Sequence, residues 1–176
     1  MYLVELINTP TTRPEVIDQL EGFVTTAVGK GVVRALDTPN FVANRIGVFS
    51  MLAVMHHTVA CGLGFDEVDA LTGPLIGRPK SATYRTADVV GLDVVVHAIR
   101  TMADTLPDDP WRQHFRAPDW LTGLVSRGAL GQKSGTGIYR KEGKAILVLD
   151  PAAADFRPSA GEVAESVADM LKTPDP

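Results

Sequence analysis

The first 36 residues alternate between short apolar runs and one segment in which apolar positions recur at helical spacing. Residues 2–7 are apolar and rich in β-branched side chains, which predicts a buried strand. Residues 13–28 carry apolar side chains three to four positions apart, which predicts a helix, and residues 32–36 form a second short apolar run. A strand, a helix and a strand in this order predict a β-α-β unit with parallel strands.

A longer region of helical spacing begins at Asn40. Residues 40–60 are apolar around most of the helix circumference, so we expect a central helix that ends at Gly62. Asp93 is expected to be the N-cap of a later helix. Further helices are predicted between glycine and proline breaks, from Gly64 to Thr72, from Pro79 to Val90, from Asp93 to Leu106 (with Val94, Val95, Ile99 and Met102 inward) and from Pro118 to Gly128.

The last third of the chain contains strand-like and tail-like sequence. Residues 138–148 flank the dipeptide Glu142-Gly143, which predicts a β-hairpin. The segment from Pro151 onward is rich in Ala, Asp and Pro. Within it one amphipathic helix is predicted from its apolar positions, Val163, Val167, Met170 and Leu171. The whole pattern predicts a mainly α-helical chain with a β-α-β unit in front and a short hairpin behind.

Composition narrows the class of protein. The chain has 176 residues, of which 45% are hydrophobic, enough for one domain with its own core. The net charge of -4 and the lack of a basic cluster argue against nucleic acid as a partner. No apolar run is long enough to suggest a membrane span. Cys61 is the single cysteine and cannot form an internal disulfide, which favours the cytoplasm, and its apolar surroundings predict a buried thiol.

Two polar residues interrupt apolar segments and are candidates for a site. Glu5 lies in the first strand, where it either faces solvent or is a buried carboxylate that needs a partner such as a histidine. Asn44 lies in the first turns of the long helix, where Asn is a mediocre helix former; it either faces solvent or binds a ligand. Pro39 near the start of this helix places these turns at a strand-to-helix junction.

Several other residues have two interpretations each. Arg78, Lys80, Arg85 and Lys133 lie in Gly/Pro/Ser-rich surroundings, where cations either remain solvated or meet the phosphates of a ligand. His56-His57 does not indicate a metal site, because adjacent helical residues point about 100° apart. We therefore expect no metal.

Four motifs together resemble the NAD-dependent 3-hydroxyacyl-CoA dehydrogenases. Residues 37–45 (DTPNFVANR) resemble the D-T-P-G-F-x-x-N-R signature of that family, and residues 3–7 (LVELI) resemble its L-V-E-x-I strand. Residues 77–93 are similar to its G-x-P-x-G-P-F-x-L-x-D-x-V-G-L-D block, and residues 131–139 to its closing G-x-K-x-G-x-G-F-Y. The motifs keep the order and spacing of the family. The sequence of residues 73–81 is more similar to that of the large multidomain members, which also carry an enoyl-CoA hydratase-like domain.

The resemblance implies a fold and a division of the chain. The fold is the helical C-terminal-type domain of the dehydrogenases, preceded by a β-α-β remnant of a Rossmann domain and followed by a short β-hairpin. Residues 1–38 would be the last β-α-β unit of the NAD-binding domain. Residues 39–150 would form the helical substrate-binding and dimerisation domain with its terminal hairpin, and residues 151–176 a tail or linker helix.

The resemblance also shows what the sequence lacks. The sequence contains neither of two motifs that belong to the family. One is the glycine fingerprint G-x-G-x-x-G, and the other is the H-F-F-N-P motif with the base histidine. We therefore expect the C-terminal portion of a dehydrogenase that is inactive by itself, with NAD bound mainly by an N-terminal domain and with Met1 as an internal methionine or a true start.

The resemblance implies a reaction with roles for named residues. The parent enzyme would oxidise L-3-hydroxyacyl-CoA to 3-ketoacyl-CoA with NAD in fatty-acid β-oxidation. Glu5 would orient the base histidine, Asn44 would hold the substrate, and a homodimer is expected, with neither nucleic acid nor membrane as a partner. The resemblance implies that the phosphates open to Arg78, Lys80, Arg85 and Lys133 are those of coenzyme A. Asn40 replaces the family glycine, which predicts a positive φ there. Two alternatives stay open, a non-catalytic helical module for acyl-CoA binding or assembly and, disfavoured by the L-V-E and D-T-P motifs, a dehydrogenase for another β-hydroxy acid.

Overall fold

The structure, a computed structural model, describes residues 2–163 and 165–172. Strand β1 (Leu3–Ile7), helix α1 (Pro14–Thr26) and strand β2 (Gly31–Ala35) come first, and the two strands pair in parallel. This confirms the predicted β-α-β unit. No residue of α1 is buried, because a two-stranded sheet covers little of one helix face.

The centre of the molecule is helical. Its α-helices are α2 (Phe41–Cys61), α3 (Phe65–Leu71), α4 (Tyr84–Val90), α5 (Leu92–Thr105) and α6 (Asp119–Ser126). Gly64 is the N-cap of α3 and Gly62 ends α2 with a positive φ, both as the sequence predicts. The mainly helical fold class is therefore confirmed.

The core lies where α2 to α6 meet a three-stranded antiparallel sheet, the second sheet of the fold, which follows α6 in the chain. Large side chains that are almost completely buried come from every one of these elements, and examples are Leu52, Phe65, Tyr84, Ile99, Leu121 and Val148. Burial of such side chains is the main stabilising term of the fold. Phe65 lies between two other rings, with its centroid 4.4 Å from that of Tyr84 and 4.7 Å from that of Trp120.

Helix α2 is less central than its composition predicts. Its fully buried side chains are Leu52, Met55 and Thr58, while Ile46 is 65% exposed and Val59 55% exposed. Only one side of the helix packs against the core, so its other apolar side remains open. The prediction of a buried thiol is also wrong, because Cys61, in the last turn of α2, is exposed.

Two helix boundaries differ from the prediction. Residues 79–83 form turns, so α4 begins at Tyr84 and not at Pro79. Helix α5 begins at Leu92, and its N-cap is Gly91 with φ +100, so the prediction of Asp93 as N-cap is wrong. Val95, Ile99 and Met102 are buried as predicted, but the prediction of an inward Val94 is wrong, because the buried face of α5 runs through Val96 and leaves Val94 exposed.

A second sheet follows the helices. Strands β3 (Tyr139–Glu142) and β4 (Ala145–Asp150) form the predicted hairpin, and Gly143 has the positive φ that a two-residue hairpin loop favours. A third strand, β5 (Asp155–Pro158), pairs antiparallel with β4 and was not predicted. Strand β5 ends at a proline, which suits a sheet edge.

The tail confirms one predicted helix, α7 (Glu165–Lys172). Val163, which was predicted to belong to this helix, lies before the start of α7. The side chains of Met170 and Leu171 are not among those the structure describes, so their predicted packing stays a prediction. Met1 also lies outside the described residues. No helix within residues 2–163 and 165–172 combines the length and the hydropathy that a membrane crossing requires.

Candidate active site

The carboxylate of Glu5 binds the first turn of α2. Its Oε2 accepts a hydrogen bond from the backbone N–H of Val42 and its Oε1 one from the N–H of Ala43, both at 2.8 Å. Backbone donors at the start of a helix have no partner inside the helix, and the helix dipole favours a negative charge there. The half-buried Glu5 therefore joins β1 to α2 and replaces a conventional N-cap side chain.

The chain enters α2 through two residues in the left-handed region. Asn40 has φ +62, which confirms the positive φ predicted from its replacement of glycine, and Phe41 has φ +51. The Asn40 side chain makes no capping hydrogen bond, and within the described residues its Nδ2 is buried without a partner. The sharp entry turn places the N–H groups of the next two residues in line with Glu5.

Asn44 directly follows the residues that Glu5 binds. Its side chain is exposed on the first turns of α2. An amide there can donate one hydrogen bond and accept another, which suits a hydroxyl that becomes a carbonyl. The structure thus brings Glu5 and Asn44 to the same helix start, although their roles stay predictions.

An ion pair fixes the same end of α2 from the other side. The guanidinium of Arg45 lies 2.7 Å from the carboxylate of Asp109, which also accepts a hydrogen bond from the backbone N–H of Trp111 at 2.9 Å. These contacts, the backbone N–H first and the guanidinium second, lower the pKa of Asp109. The segment after α5 therefore holds the turn that carries Asn44.

The four cations predicted to meet coenzyme A have different surroundings. Arg85 on α4 lies against the ring of Tyr139. Arg78 donates to the hydroxyl of Ser50 on α2, while Lys133 pairs with Asp93 on α5 at 2.7 Å from Nζ to Oδ2. Lys80 is exposed in the turn before α4. The structure thus ties Arg78 and Lys133 to separate helices, and their binding role stays a prediction.

The histidine pair on α2 has an ordinary environment. The Nε2 atom of His56 lies 3.4 Å from the carbonyl oxygen of His114. Across the part of the chain that the structure describes, no three His, Cys, Asp or Glu side chains are grouped to hold a metal ion.

Asp69 is a buried residue that the sequence analysis missed. Its carboxylate accepts hydrogen bonds from the backbone N–H groups of Thr83, Tyr84 and Arg85 and from the hydroxyl of Tyr139 at 2.8 Å. Burial raises the pKa of Asp69, and these four donors oppose the rise. Asp69 caps α4 from α3, which explains why α4 begins at Tyr84.

Asp88 likewise binds backbone N–H groups, here at the start of the second sheet. Its Oδ1 accepts from the N–H of Ile138 at 2.9 Å and its Oδ2 from the N–H of Tyr139 at 2.8 Å. Burial raises the pKa of Asp88 to about 6 in spite of these two bonds. A carboxylate on α4 thus fixes the start of β3.

Asp66 anchors the end of the sheet to α3. Arg157 reaches both of its oxygens, at 2.7 and 3.1 Å, and the N–H of Ala160 adds a bond at 2.9 Å. Burial would raise the pKa of Asp66, but the guanidinium and the backbone donors lower it to about 2. Asp69 and Asp88 share a sequence signal, since each has apolar helical neighbours on both sides, where an acid needs a partner. Asp66 carries no such signal, because it precedes Glu67 in the first turn of α3.

Comparisons with known proteins agree with the motifs. The family description "3-hydroxyacyl-CoA dehydrogenase, C-terminal domain" matches residues 41–141. A probable 3-hydroxyacyl-CoA dehydrogenase of Bacillus subtilis is 45% identical over 151 residues, which are 86% of this chain and 19% of that protein. One of Deinococcus radiodurans is 44% identical over 141 residues, which are 80% of this chain and 40% of that protein.

A solved structure shows the same fold. The crystal structure of FadB2 from Mycobacterium tuberculosis is 30% identical with a TM-score of 0.68, over 81% of this chain and 48% of that one. This chain therefore spans less than half the length of each of these relatives. Since the family match covers more than half of the chain and includes α2 to β3, this chain belongs to the family of the 3-hydroxyacyl-CoA dehydrogenase C-terminal domain.

Proposed function

We propose that this chain supplies the substrate-binding side of an NAD-dependent 3-hydroxyacyl-CoA dehydrogenase, which oxidises L-3-hydroxyacyl-CoA to 3-ketoacyl-CoA in fatty-acid β-oxidation. The observation that carries the proposal is the contact of Glu5 with the turn of α2 that precedes Asn44. The names of the relatives support the reaction. The activity is assigned to the protein that contains this chain, because the relatives are more than twice as long.

Glu5 retains the capacity to orient a base. A carboxylate offers about four lone-pair positions, and the N–H groups of Val42 and Ala43 use two of them. A histidine N–H from another part of the protein would take a third. The charged carboxylate would then fix the imidazole tautomer and stabilise its protonated form.

The described residues do not fit the dinucleotide. In a Rossmann fold, a strand-to-helix turn rich in glycine lets the backbone approach the pyrophosphate. The loop from β1 to α1, residues 8–13, contains no glycine, and the glycines at 131 and 137 pack against Asp88 instead. NAD would therefore be held by residues outside this chain, and the roles of Glu5 and Asn44 concern only the substrate and its proton.

The test is NADH formation from 3-hydroxyacyl-CoA by the protein that contains this chain. Asn44→Ala should lower kcat/KM at least about tenfold, since a buried substrate oxygen would lose one hydrogen bond. Asn8→Ala, an exposed asparagine in the loop after β1, is the matched control and should change nothing. Equal activity of the two variants would remove Asn44 from the site. Saturable acyl-CoA binding without turnover would favour the non-catalytic module.

Exposed aliphatic side chains support a homodimer through the region from Asn40 to Leu106. They lie on the open side of α2, on the turn after α3, and on α4 and α5, namely Ile46, Val59, Leu75, Ile76, Val89, Val90 and Val94. Large apolar surfaces on proteins mark partner sites, and two-fold pairing is the commonest way to cover them. Sedimentation equilibrium at micromolar concentration should show twice the chain mass of 18.9 kDa, and a clean monomer would refute the interface.

The cytoplasm is the proposed location. One cysteine, exposed at the end of α2, gives no internal disulfide and suits a reducing compartment.

A further inference from the structure

A cleft of about 300 Å³ lies between α4, the turn at residues 132–135 and the β3–β4 hairpin. Its walls carry three cations, Arg85, Arg140 and Lys141, together with the amide of Gln132. Of the four cations predicted to meet coenzyme A, Arg85 lines this cleft, whereas Arg78, Lys80 and Lys133 are not among its lining residues.

Arg85 is held by a ring and not by an acid. Its guanidinium carbon lies 4.1 Å from the centroid of the Tyr139 ring. Among the described residues, no carboxylate lies within ion-pair distance of its guanidinium. Stacking on an aromatic face stabilises the cation and fixes the plane of the guanidinium group. The N–H groups at the edge of that plane stay available to a ligand.

The hairpin supplies the other two cations. The guanidinium of Arg140 lies 4.2 Å from the centroid of the Phe156 ring. Its contact with Glu142 is 3.6 Å long and solvent-exposed, and pairs of that kind contribute little. Lys141 is exposed, and the described residues offer its Nζ no carboxylate partner.

The acid in the cleft offsets only part of the charge of these three cations. Of the described residues that line it, Asp88 carries the one carboxylate. Both of its oxygens already accept backbone N–H groups, from Ile138 and Tyr139, and the residue is buried. The cleft therefore presents an excess of positive charge with N–H donors in fixed positions.

We infer that this cleft binds the phosphoryl group of a phosphate-bearing small molecule. Guanidinium forks match the geometry of phosphate oxygens, and a lysine adds a point charge. The volume is at the lower limit of small-molecule sites, which fits a phosphoryl or pyrophosphoryl group and not an entire nucleotide. Coenzyme A and free phosphate or nucleotides share this chemistry. The inference does not rest on the dehydrogenase activity.

The test is a calorimetric titration of the protein with inorganic pyrophosphate at constant ionic strength. Arg85→Gln should weaken binding about tenfold or more, because it removes charge-assisted hydrogen bonds. Lys141→Ala should weaken it several-fold, whereas Lys144→Ala, an exposed lysine of the same hairpin outside the cleft, should leave it unchanged. Arg140→Gln repeats the test if Arg85→Gln lowers the melting temperature.

Two results would overturn the inference. One is equal weakening by Lys141→Ala and Lys144→Ala, which would show unspecific surface charge, and the other is the absence of saturable pyrophosphate binding. Titration with coenzyme A and dephospho-coenzyme A then separates the sources. Tighter binding of coenzyme A than of pyrophosphate, lost in Arg85→Gln, assigns the cleft to that ligand, while equal affinities assign it to free phosphate compounds.

Discussion

Replacement of Glu5 by glutamine tests both the structural and the chemical role of this residue. In the structure the two carboxylate oxygens accept the N–H groups of Val42 and Ala43 at 2.8 Å. Glutamine keeps one acceptor and turns an N–H₂ group toward the other donor. The change removes one hydrogen bond to a charged group, about 1.5–3 kcal/mol, and the attraction between the carboxylate and the helix dipole, about 0.3–1 kcal/mol.

We therefore expect Glu5→Gln to lower the free energy of unfolding by about 2 kcal/mol, because Glu5 is only half-buried and solvent weakens both contributions. Urea titration at pH 7 measures this loss as a shift in the midpoint at constant slope. Glu15→Gln is the matched control. Glu15 lies exposed in the first turn of α1, so its replacement removes a dipole contribution without a described hydrogen bond and should cost less than about 1 kcal/mol.

The same variant separates folding from chemistry in the protein that contains the chain. If Glu5 also orients a histidine, kcat should fall about 100-fold or more while the protein remains folded. Glu5→Asp keeps the charge and shortens the reach by one methylene, so it should recover part of kcat. The reasoning is refuted if Glu5→Gln and Glu15→Gln have the same urea midpoint. A kcat within a factor of two of wild type would leave Glu5 as a helix anchor only.

Three further predictions concern the buried acids and the glycines beside them. Because the pKa of Asp66 is lowered to about 2, its carboxylate stabilises the fold above pH 4. In urea titrations, Asp66→Asn should lower the free energy of unfolding by about 2 kcal/mol at pH 7 and by almost nothing at pH 2. The same difference from wild type at both pH values would contradict this. Burial raises the pKa of Asp88 to about 6, so the stability of wild type relative to Asp88→Asn should fall by roughly 2 kcal/mol as the pH rises from 4 to 7. A flat difference would refute the burial argument. Gly137→Ala should destabilise the protein by at least about 2 kcal/mol, because a Cβ would overlap the Asp88 carboxylate. Gly123→Ala in α6 has open space around the new Cβ and should stabilise the protein by about 0.5–1 kcal/mol. Equal melting temperatures of the two variants would disprove the clash.

Periodicity of apolar residues predicted the elements well where local packing decides them. The helix after Asn40 and the hairpin at Glu142-Gly143 depend on patterns within about twenty residues, and the β-α-β unit on three such short patterns in succession. Strand β5 escaped prediction because it exists only through pairing with β4, and its sequence carries Asp155 and Pro158. The start of α4 escaped for a similar reason, since it depends on a carboxylate from another helix.

The candidate site shows the same division. The resemblance named Glu5 and Asn44, but the alternation of β1 alone could not tell whether Glu5 faces solvent. Its contact with α2 spans 37 residues along the chain, and it requires the positive φ at Asn40. The resemblance predicted that φ, because the family has glycine at this position and Asn tolerates the left-handed region in its place. The direction of the carboxylate needed the folded chain.

Two of the family-like motifs are parts of one packing unit. Asp88 belongs to the block at residues 77–93, while Gly131 and Gly137 belong to the close at residues 131–139. A Cβ at Gly131 would overlap the backbone of Asp88, and one at Gly137 its carboxylate. Glycine at both positions therefore lets the loop approach α4 so closely that Asp88 reaches the N–H groups that begin β3. Gly131 and Gly137 of the closing motif thus serve this contact between the loop and α4.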